Sequence, residues 1–310
     1  MKKWILIFLL FIIVIAIGIY FFIPANRVLN YQTMVSCTED GAGRIMLDKN
    51  KLDLWWPGIK KDDTTYSYKN CNYRIDKILV SGIEMTVFND AYSTTGNLEI
   101  IAAGADSAQL LWTSSFEFSN NLIKKISQYN HYNNIKKSIE SFIKDAKKYF
   151  EKEENIYGMK VVKQKVTEAS LISVKQSFDH YPSTQEIYGM INSLREYIKQ
   201  KGGEENNHPM LNVHTEDSTI YETMAAIPTK NDLPSEGKFL LKKMVLGNIL
   251  MAEVKGGLSA IINGEQQLKN YVSDHKKTAP AIPFQSLVTN RLQVADSSKW
   301  VTKLYYPIFY

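Results

Sequence analysis

Apolar and polar side chains recur with helical spacing in one long stretch of the chain, residues 120–154. Within it, apolar residues stand three or four positions apart at Ile135, Ile139, Phe142, Ile143, Ala146, Tyr149 and Phe150. Lysines and a glutamate fill the opposite face. The pattern predicts an amphipathic helix that needs an apolar surface to pack against. Strand-like segments precede it and a second strand-rich block begins at Tyr157, so we expect the helix to close one domain and to lead into the next.

Before this helix, segments rich in β-branched and aromatic residues alternate with turn residues, which is typical of strands. The predicted strands are 28–35, 67–74, 76–80, 83–88, 97–102 and 109–118. Short helical turns are predicted over 43–48 and 51–58, the second ended by Pro57 and Gly58. This order of elements predicts an α+β helix-grip fold: one strand, small helices, an antiparallel run of strands and a long helix.

After Tyr157 the same order of elements occurs twice. The first copy comprises strands 159–166 and 170–175, a helix over 184–199, and strands 210–214 and 219–227 joined by a turn at Glu216 and Asp217. Either Ser183 or Thr184 can cap that helix. The second copy comprises a strand segment over 239–254, a helix over 264–273 and strands 284–289 and 300–308. A duplicated unit of this kind predicts a pseudo-twofold domain with a cleft between its halves.

Residues 4–23 carry no charge, with Trp4 at one end and Tyr20 and Ile23 near the other. About twenty apolar residues of helix match the hydrocarbon core of a bilayer, and Trp and Tyr favour its interfaces. A cleaved signal peptide is the alternative, but it would have small residues where this chain has bulky ones. We predict an uncleaved membrane anchor over residues 1–25, with the remaining chain on the outer, periplasmic face of the cytoplasmic membrane.

Composition limits the classes of partner. The chain has 310 residues, 45% of them apolar and 22% charged, which indicates globular domains. Its net charge of +5 comes largely from lysines scattered over helix faces, so we expect no nucleic-acid partner. Cys37 and Cys71 match no metal-binding spacing; they either form a disulfide or remain as two buried thiols.

The sequence lacks the short motifs of several enzyme classes. No phosphate-binding loop, dinucleotide-binding fingerprint or G-x-S-x-G elbow occurs. The five histidines are scattered and form no helical H-x-x-x-H pair. We therefore expect no metal and no cofactor.

The order of elements in residues 26–154, the turn 54–57 (LWWP) and the long closing helix resemble the START-like (SRPBCC, polyketide-cyclase-like) superfamily. The resemblance implies an apolar ligand held between a curved sheet and the helix. Trp55 and Trp112 are then candidate ligand-binding residues. The alternative for each tryptophan is core packing, the commoner role of large aromatic side chains.

Residues 157–310 resemble the gyrase-inhibitor-like domain, an effector-binding module often fused to bacterial transcription activators. The segments that carry the resemblance are 233–239 (LPSEGKF), 252–257 (AEVKGG) and 296–308 (DSSKWVTKLYYPI). It implies that organic, often cationic, molecules bind in a cleft, with a glutamate near the start of the penultimate strand as counter-charge. Gln285 stands at that position, and Leu287 replaces an aromatic of the family.

This departure changes the expected ligand, because an amide offers hydrogen bonds but no counter-charge. Glu222 could restore a charge if it points inward. Gln285, Tyr306, Tyr221 and Glu222 are therefore the candidate ligand-binding residues, with the tyrosines as apolar walls.

The sequence as a whole predicts a membrane-anchored binding protein, or sensor, for apolar or amphipathic small molecules. The alternative is a hydrolase or cyclase that acts in one of the two cavities. Binding is favoured over catalysis because catalysis needs a positioned acid–base pair, whereas binding needs only an apolar cavity with orienting groups.

Overall fold

A computed structural model of the chain describes residues 2–90, 92–167, 169–215, 219–279 and 281–309. The chain divides into two compact units, residues 1–152 and 153–310. Each unit contains one antiparallel sheet with helices, so the predicted α+β class is confirmed.

The apolar segment at the N-terminus forms helix α1, Lys2–Phe22. Within the part of the chain that the structure describes, no helix combines the length and the apolar character that crossing a membrane requires. The predicted membrane anchor through Trp4 to Ile23 is therefore not supported. The predicted location of the protein is not tested and stays a prediction.

The first unit is a seven-stranded sheet in the order β1-β7-β6-β5-β4-β3-β2, with every neighbouring pair antiparallel. Its strands are β1 Asn26–Val35, β2 Ile59–Lys60, β3 Thr65–Tyr68, β4 Cys71–Ile78, β5 Gly82–Phe88, β6 Ser93–Gly104 and β7 Ser107–Glu117. Its further helices are α2 Glu39–Met46, α3 Leu52–Trp55 and α4 Leu122–Phe150. The predicted strand 67–74 is instead a hairpin of β3 and β4, with Lys69 at φ 51° in the turn.

The predicted apolar stripe packs α4 onto this sheet. Its fully buried members are Ile135, Ile139, Phe142, Ile143, Ala146 and Phe150. Cys37 and Cys71 are both buried and both free, so the structure has two thiols and no disulfide between them.

The second unit is an eight-stranded sheet in the order β12-β9-β11-β10-β14-β15-β13-β8. Its strands are β8 Val161–Lys165, β9 Ser170–Phe178, β10 Met210–His214, β11 Tyr221–Pro228, β12 Leu240–Lys243, β13 Asn248–Lys255, β14 Phe284–Leu287 and β15 Val301–Ile308. Its helices are α5 Glu153–Tyr157, α6 Thr184–Gln200 and α7 Leu258–Asp274. Ser183 caps α6 in a capping box with Glu186. The predicted turn at Glu216 and Asp217 lies outside the described residues.

The predicted repeat is confirmed, with a correction to its outer strands. The segments β9-α6-β10-β11 and β13-α7-β14-β15 share one order, and β10 pairs with β14 where the halves meet. However, β8 pairs with β13 of the second half, and β12 pairs with β9 of the first. The segment predicted as one strand over 239–254 is therefore two strands in different halves, separated by residues 244–247.

Both long helices pack on one face of this sheet. Because alternate strand residues face opposite sides, Ile172, Leu211 and Ala225 pack under α6, and Ala252 and Leu304 pack under α7. The intervening residues of the central strands point to the other face. There Leu171, Met210 and Ala226 form a separate small cluster with Met244 and Phe284. This second face, which neither α6 nor α7 covers, carries one of the two candidate sites.

Candidate functional site

The two tryptophans predicted to contact a ligand in the first unit are core residues. Trp55 is 2% exposed and its ring lies 5.5 Å from that of Phe150 on α4. Trp112 is fully buried, and its Nε1 donates a hydrogen bond to Ser114 Oγ at 2.9 Å. A Cβ on the neighbouring Gly96 would lie 2.5 Å from the Trp112 ring, so glycine there makes room for it. Packing is thus the role that the structure gives both tryptophans.

Aromatic side chains also fill the space between this sheet and α4, where the START-like resemblance implies a ligand. Trp56 stacks on Tyr66 at 4.5 Å, and Tyr73 stacks on Phe142 of α4 at 4.9 Å. The Tyr73 hydroxyl is hydrogen-bonded to Ser138 Oγ of the same helix at 2.8 Å. These contacts leave the helix in direct contact with the sheet, so we place no ligand between them.

Gln285 lies on the helix-covered face of the second unit, between the cores of the two halves. Its cross-strand neighbours are Leu211 of the first half and Leu304 of the second. The side chain is 2% exposed, and its Nε2 donates a hydrogen bond to Glu265 Oε1 at 3.0 Å. Among the described residues, Gln285 Oε1 has no hydrogen-bond partner.

Glu265 of α7 is a carboxylate that the sequence reasoning missed. The side chain is exposed at one side, yet the protein atoms packed around it raise the pKa of its carboxyl, while the bond from Gln285 opposes that shift. The helical spacing could have identified Glu265, because it follows the buried Ile261 by four residues and so lies beside the apolar stripe of α7.

The other predicted residues of this unit do not share one pocket. Tyr306 and Glu265 line a cleft of about 370 Å³ beside α7, here named the α7 cleft. Tyr221 points to the same face of the sheet but contacts Tyr181, with ring centroids 5.8 Å apart. Glu222 is exposed on β11 and lines neither this cleft nor the second cavity described next. The structure therefore does not bring Tyr306, Tyr221 and Glu222 together in one pocket.

A second cavity, about 350 Å³, lies against the sheet face that α6 and α7 leave uncovered. We name it the sheet cavity. Its apolar lining includes Leu171, Met210, Met224, Ala226, Met244 and Phe284. The sequence does not predict this cavity, because the pattern over residues 239–254 indicates one continuous strand and the structure has two.

One wall of the sheet cavity is the loop 244–247 between β12 and β13. The loop is held at both ends, since Met244 N donates to Ala169 O and Val166 N donates to Gly247 O, each at 3.0 Å. Between these bonds, Val245 and Leu246 are 63% and 67% exposed. The loop therefore presents large apolar side chains beside an open apolar cavity.

The charged groups of the lining are lysines: Lys175, Lys242 and Lys243. Lys243 Nζ pairs with Asp232 and donates to Ser170 Oγ at 3.1 Å. That ion pair holds the pKa of Asp232 below its ordinary value. Among the described residues that line the cavity there is no aspartate or glutamate.

Comparisons with known proteins give structural neighbours only. No family model matches the chain, and no curated protein matches it. The EcmrR C-terminal domain is similar over 49% of this chain and 98% of its own length, at 13% identity and a TM-score of 0.43. A putative bacterial transcription regulation protein from Staphylococcus aureus MU50 matches 49% of this chain and 99% of its own, at 15% identity and a TM-score of 0.32.

A third similar structure is SAV2435 bound to tetraphenylphosphonium, over 49% of this chain and 94% of its own, at 13% identity and a TM-score of 0.34. Transcription regulators and a protein with a bound organic cation are thus among the structures that the chain resembles. At these identities and scores the similarity assigns neither a ligand nor an activity. The resemblances to the START-like and gyrase-inhibitor-like families stay predictions.

Proposed function

We propose that the protein binds an apolar or amphipathic small molecule in the sheet cavity of its second unit. The observation that carries this proposal is the size and lining of the cavity. Its volume of about 350 Å³ falls at the lower end of the range of roughly 300–1,000 Å³ that small-molecule pockets occupy. Such pockets are mostly apolar with a few orienting polar groups, as this one is.

The apolar surface beside the cavity supports the same function. Ile282 and Phe309 of the lining are 57% and 54% exposed, and Val245 and Leu246 of the loop 244–247 are exposed to a similar extent. Soluble proteins rarely expose contiguous apolar patches of this kind unless something binds there. A bound apolar chain would remove these side chains from water.

Binding without chemistry is the favoured function. Hydrolysis or cyclisation needs an acid–base pair within hydrogen-bond reach of the substrate. Among the described residues lining the sheet cavity, no histidine, cysteine or carboxylate is present. We therefore propose that the protein holds or senses its ligand and does not transform it.

A series of alcohols of increasing chain length tests this function with the full chain. Burying one methylene group is worth about 0.8 kcal/mol, so each added methylene should tighten binding about fourfold until the cavity is full. The measurement is a dissociation constant for each alcohol, from displacement of a fluorescent apolar dye. A plateau beyond one chain length is expected. Dissociation constants that do not vary with chain length would contradict the function.

The substitution Ala226→Phe tests whether the ligand binds in the sheet cavity. Ala226 is 4% exposed and lines the sheet cavity, so a phenyl ring there should occupy ligand volume and weaken binding by tenfold or more. The matched control is Ala102→Phe, the same change at an exposed residue of the first unit, which should leave binding unchanged. Circular dichroism shows that each variant is folded. Equal binding by both variants would place the ligand elsewhere.

A further inference from the structure

We infer that the ligand of the sheet cavity carries an anionic head group, with Lys175 and Lys242 as its counter-charges. This inference rests on the binding function proposed above and adds the chemical class of the ligand. The ligand would be a single-chain amphiphile whose apolar part fills the cavity and whose anionic end lies at the mouth.

The first observation is the sign of the charge around the cavity. Lys175 of β9 lies directly across from Met224 of β11, and Lys242 of β12 lies across from Leu171 of β9. Met224 and Leu171 both line the cavity. Because directly opposed residues point to the same face of a sheet, both lysine side chains start from the face that holds the ligand.

The second observation is that these two charges are available. Neither Lys175 nor Lys242 makes an ion pair or a side-chain hydrogen bond to any described residue, and both are exposed. Lys243 differs, since Asp232 already neutralises it. An ammonium group that keeps water on one side and borders an apolar cavity on the other can meet an anionic head without leaving solvent.

The third observation concerns the alternative charge classes. A cationic head group at this mouth would meet Lys175 and Lys242 and no carboxylate of the described lining. Glu222, on the same face of β11 as Met224, lies outside the lining. Like charges this close repel, whereas an anionic head gains from both lysines. The α7 cleft has both Glu265 and Lys269 in its lining, so its charges do not favour an anionic head in the same way.

The expected gain in affinity for an anionic ligand follows from the exposure of Lys175 and Lys242. An exposed ion pair contributes about two- to fivefold to an equilibrium constant, and two such pairs give roughly fourfold to twenty-fivefold. We therefore expect decanoate to bind several-fold more tightly than decanol, and decanol more tightly than decyltrimethylammonium. Salt screens exposed charges, so this order should shrink as ionic strength rises from about 0.01 M to about 1 M.

The experiment titrates these three probes of equal chain length against the full-length protein at about pH 8, where a carboxylic acid is ionised. The Lys175→Gln/Lys242→Gln variant should lose most of the preference for decanoate and keep its affinity for decanol. The matched control is Lys255→Gln, an exposed strand lysine that does not line the cavity, and it should behave as wild type. Each single variant should lose part of the preference.

The outcomes distinguish a failure of the anionic head group from a failure of the proposed binding function. Binding of all three probes with equal affinity, or an unchanged preference in the double variant, would overturn the anionic head group and leave the apolar cavity in place. Tighter binding of decyltrimethylammonium would also overturn it. No binding of any probe would contradict the proposed function itself.

Discussion

The Nε2 atom of Gln285 on a central strand donates a hydrogen bond to Oε1 of Glu265 on α7, at 3.0 Å. The pair joins the two elements where the halves of the second unit meet. A neutral amide suits this place, because it can donate to the carboxylate without adding charge to a partly desolvated site. The amide thus stands on the strand and the carboxylate on the helix.

Replacing Gln285 by Glu should make the stability of the protein depend strongly on pH. Two carboxylates in contact cannot both ionise easily, so the folded state holds a proton that the unfolded state releases. The pKa of Glu265, already raised by burial, should rise further. Unfolding free energy relative to wild type should change little at about pH 4. It should then fall as the pH rises towards 7, by up to about 4 kcal/mol, the repulsion of two charges about 4 Å apart at an effective dielectric constant near 20.

The control for this prediction is the exchanged pair, Glu265→Gln with Gln285→Glu. It restores one carboxylate and one amide, so most of the lost stability at pH 7 should return. Urea denaturation at both pH values measures these free energies. A single Gln285→Glu variant as stable as wild type at pH 7 would show that the two side chains do not share a desolvated contact.

A pair of glycines tests the packing of α7 on its sheet. A Cβ at Gly264 would lie 2.7 Å from Val254 Cγ2 and 2.9 Å from Leu304 Cδ1, whereas a Cβ at Gly189 of α6 would meet nothing within 4 Å. Alanine favours a helix over glycine by about 1 kcal/mol. Gly189→Ala should therefore stabilise the protein by up to that amount, while Gly264→Ala should destabilise it by about 1–3 kcal/mol through overpacking.

Thermal or urea melts of the two variants measure both effects. Equal stabilisation by both substitutions would mean that α7 stands further from β13 and β15 than the structure shows.

The buried thiols should be unreactive in the folded protein. Burial, with a smaller contribution from Glu151, raises the pKa of Cys37 to about 12 from an ordinary 9.0, and burial also raises the pKa of Cys71. At a given pH, this rise in the pKa of Cys37 leaves about a thousandfold less thiolate than an ordinary cysteine has, and the thiolate is the reactive form. Iodoacetamide at about pH 8 should modify both cysteines in urea and neither in buffer, as mass spectrometry would show. Rapid modification of Cys37 in buffer would contradict its burial.

Patterns with a short period were the most predictable part of this fold. The stripe from Ile135 to Phe150 specified α4, and the repeated order of elements specified the two halves of the second unit. The pairing of the strands is not predictable from the sequence. Nothing in β12 indicates that it pairs with β9 and not with β13, the strand that follows it in the chain. The strand exchange between halves was missed for that reason.

The candidate site was predictable only in part. Gln285 was identified by its position in a family pattern, and it does lie between the two halves. The sheet cavity depends on the loop 244–247 and on side chains from strands that are distant in sequence, among them Leu171 and Phe284. Such a site becomes visible only when the pairing is known. Trp55 and Trp112 are candidates only because the START-like resemblance implies a ligand cavity, and large aromatic side chains are more commonly explained by packing.

Photolabelling tests the central claim, a ligand in the sheet cavity, most directly. A decanoate analogue with a diazirine in its alkyl chain is bound to the full-length protein, irradiated and mapped by mass spectrometry. We expect labelled residues on the uncovered face and the loop, such as Met210, Met224, Met244 and Phe284, with unmodified decanoate competing and Ala226→Phe reducing the yield. Competed labelling confined to the α7 cleft or to the first unit would contradict the claim.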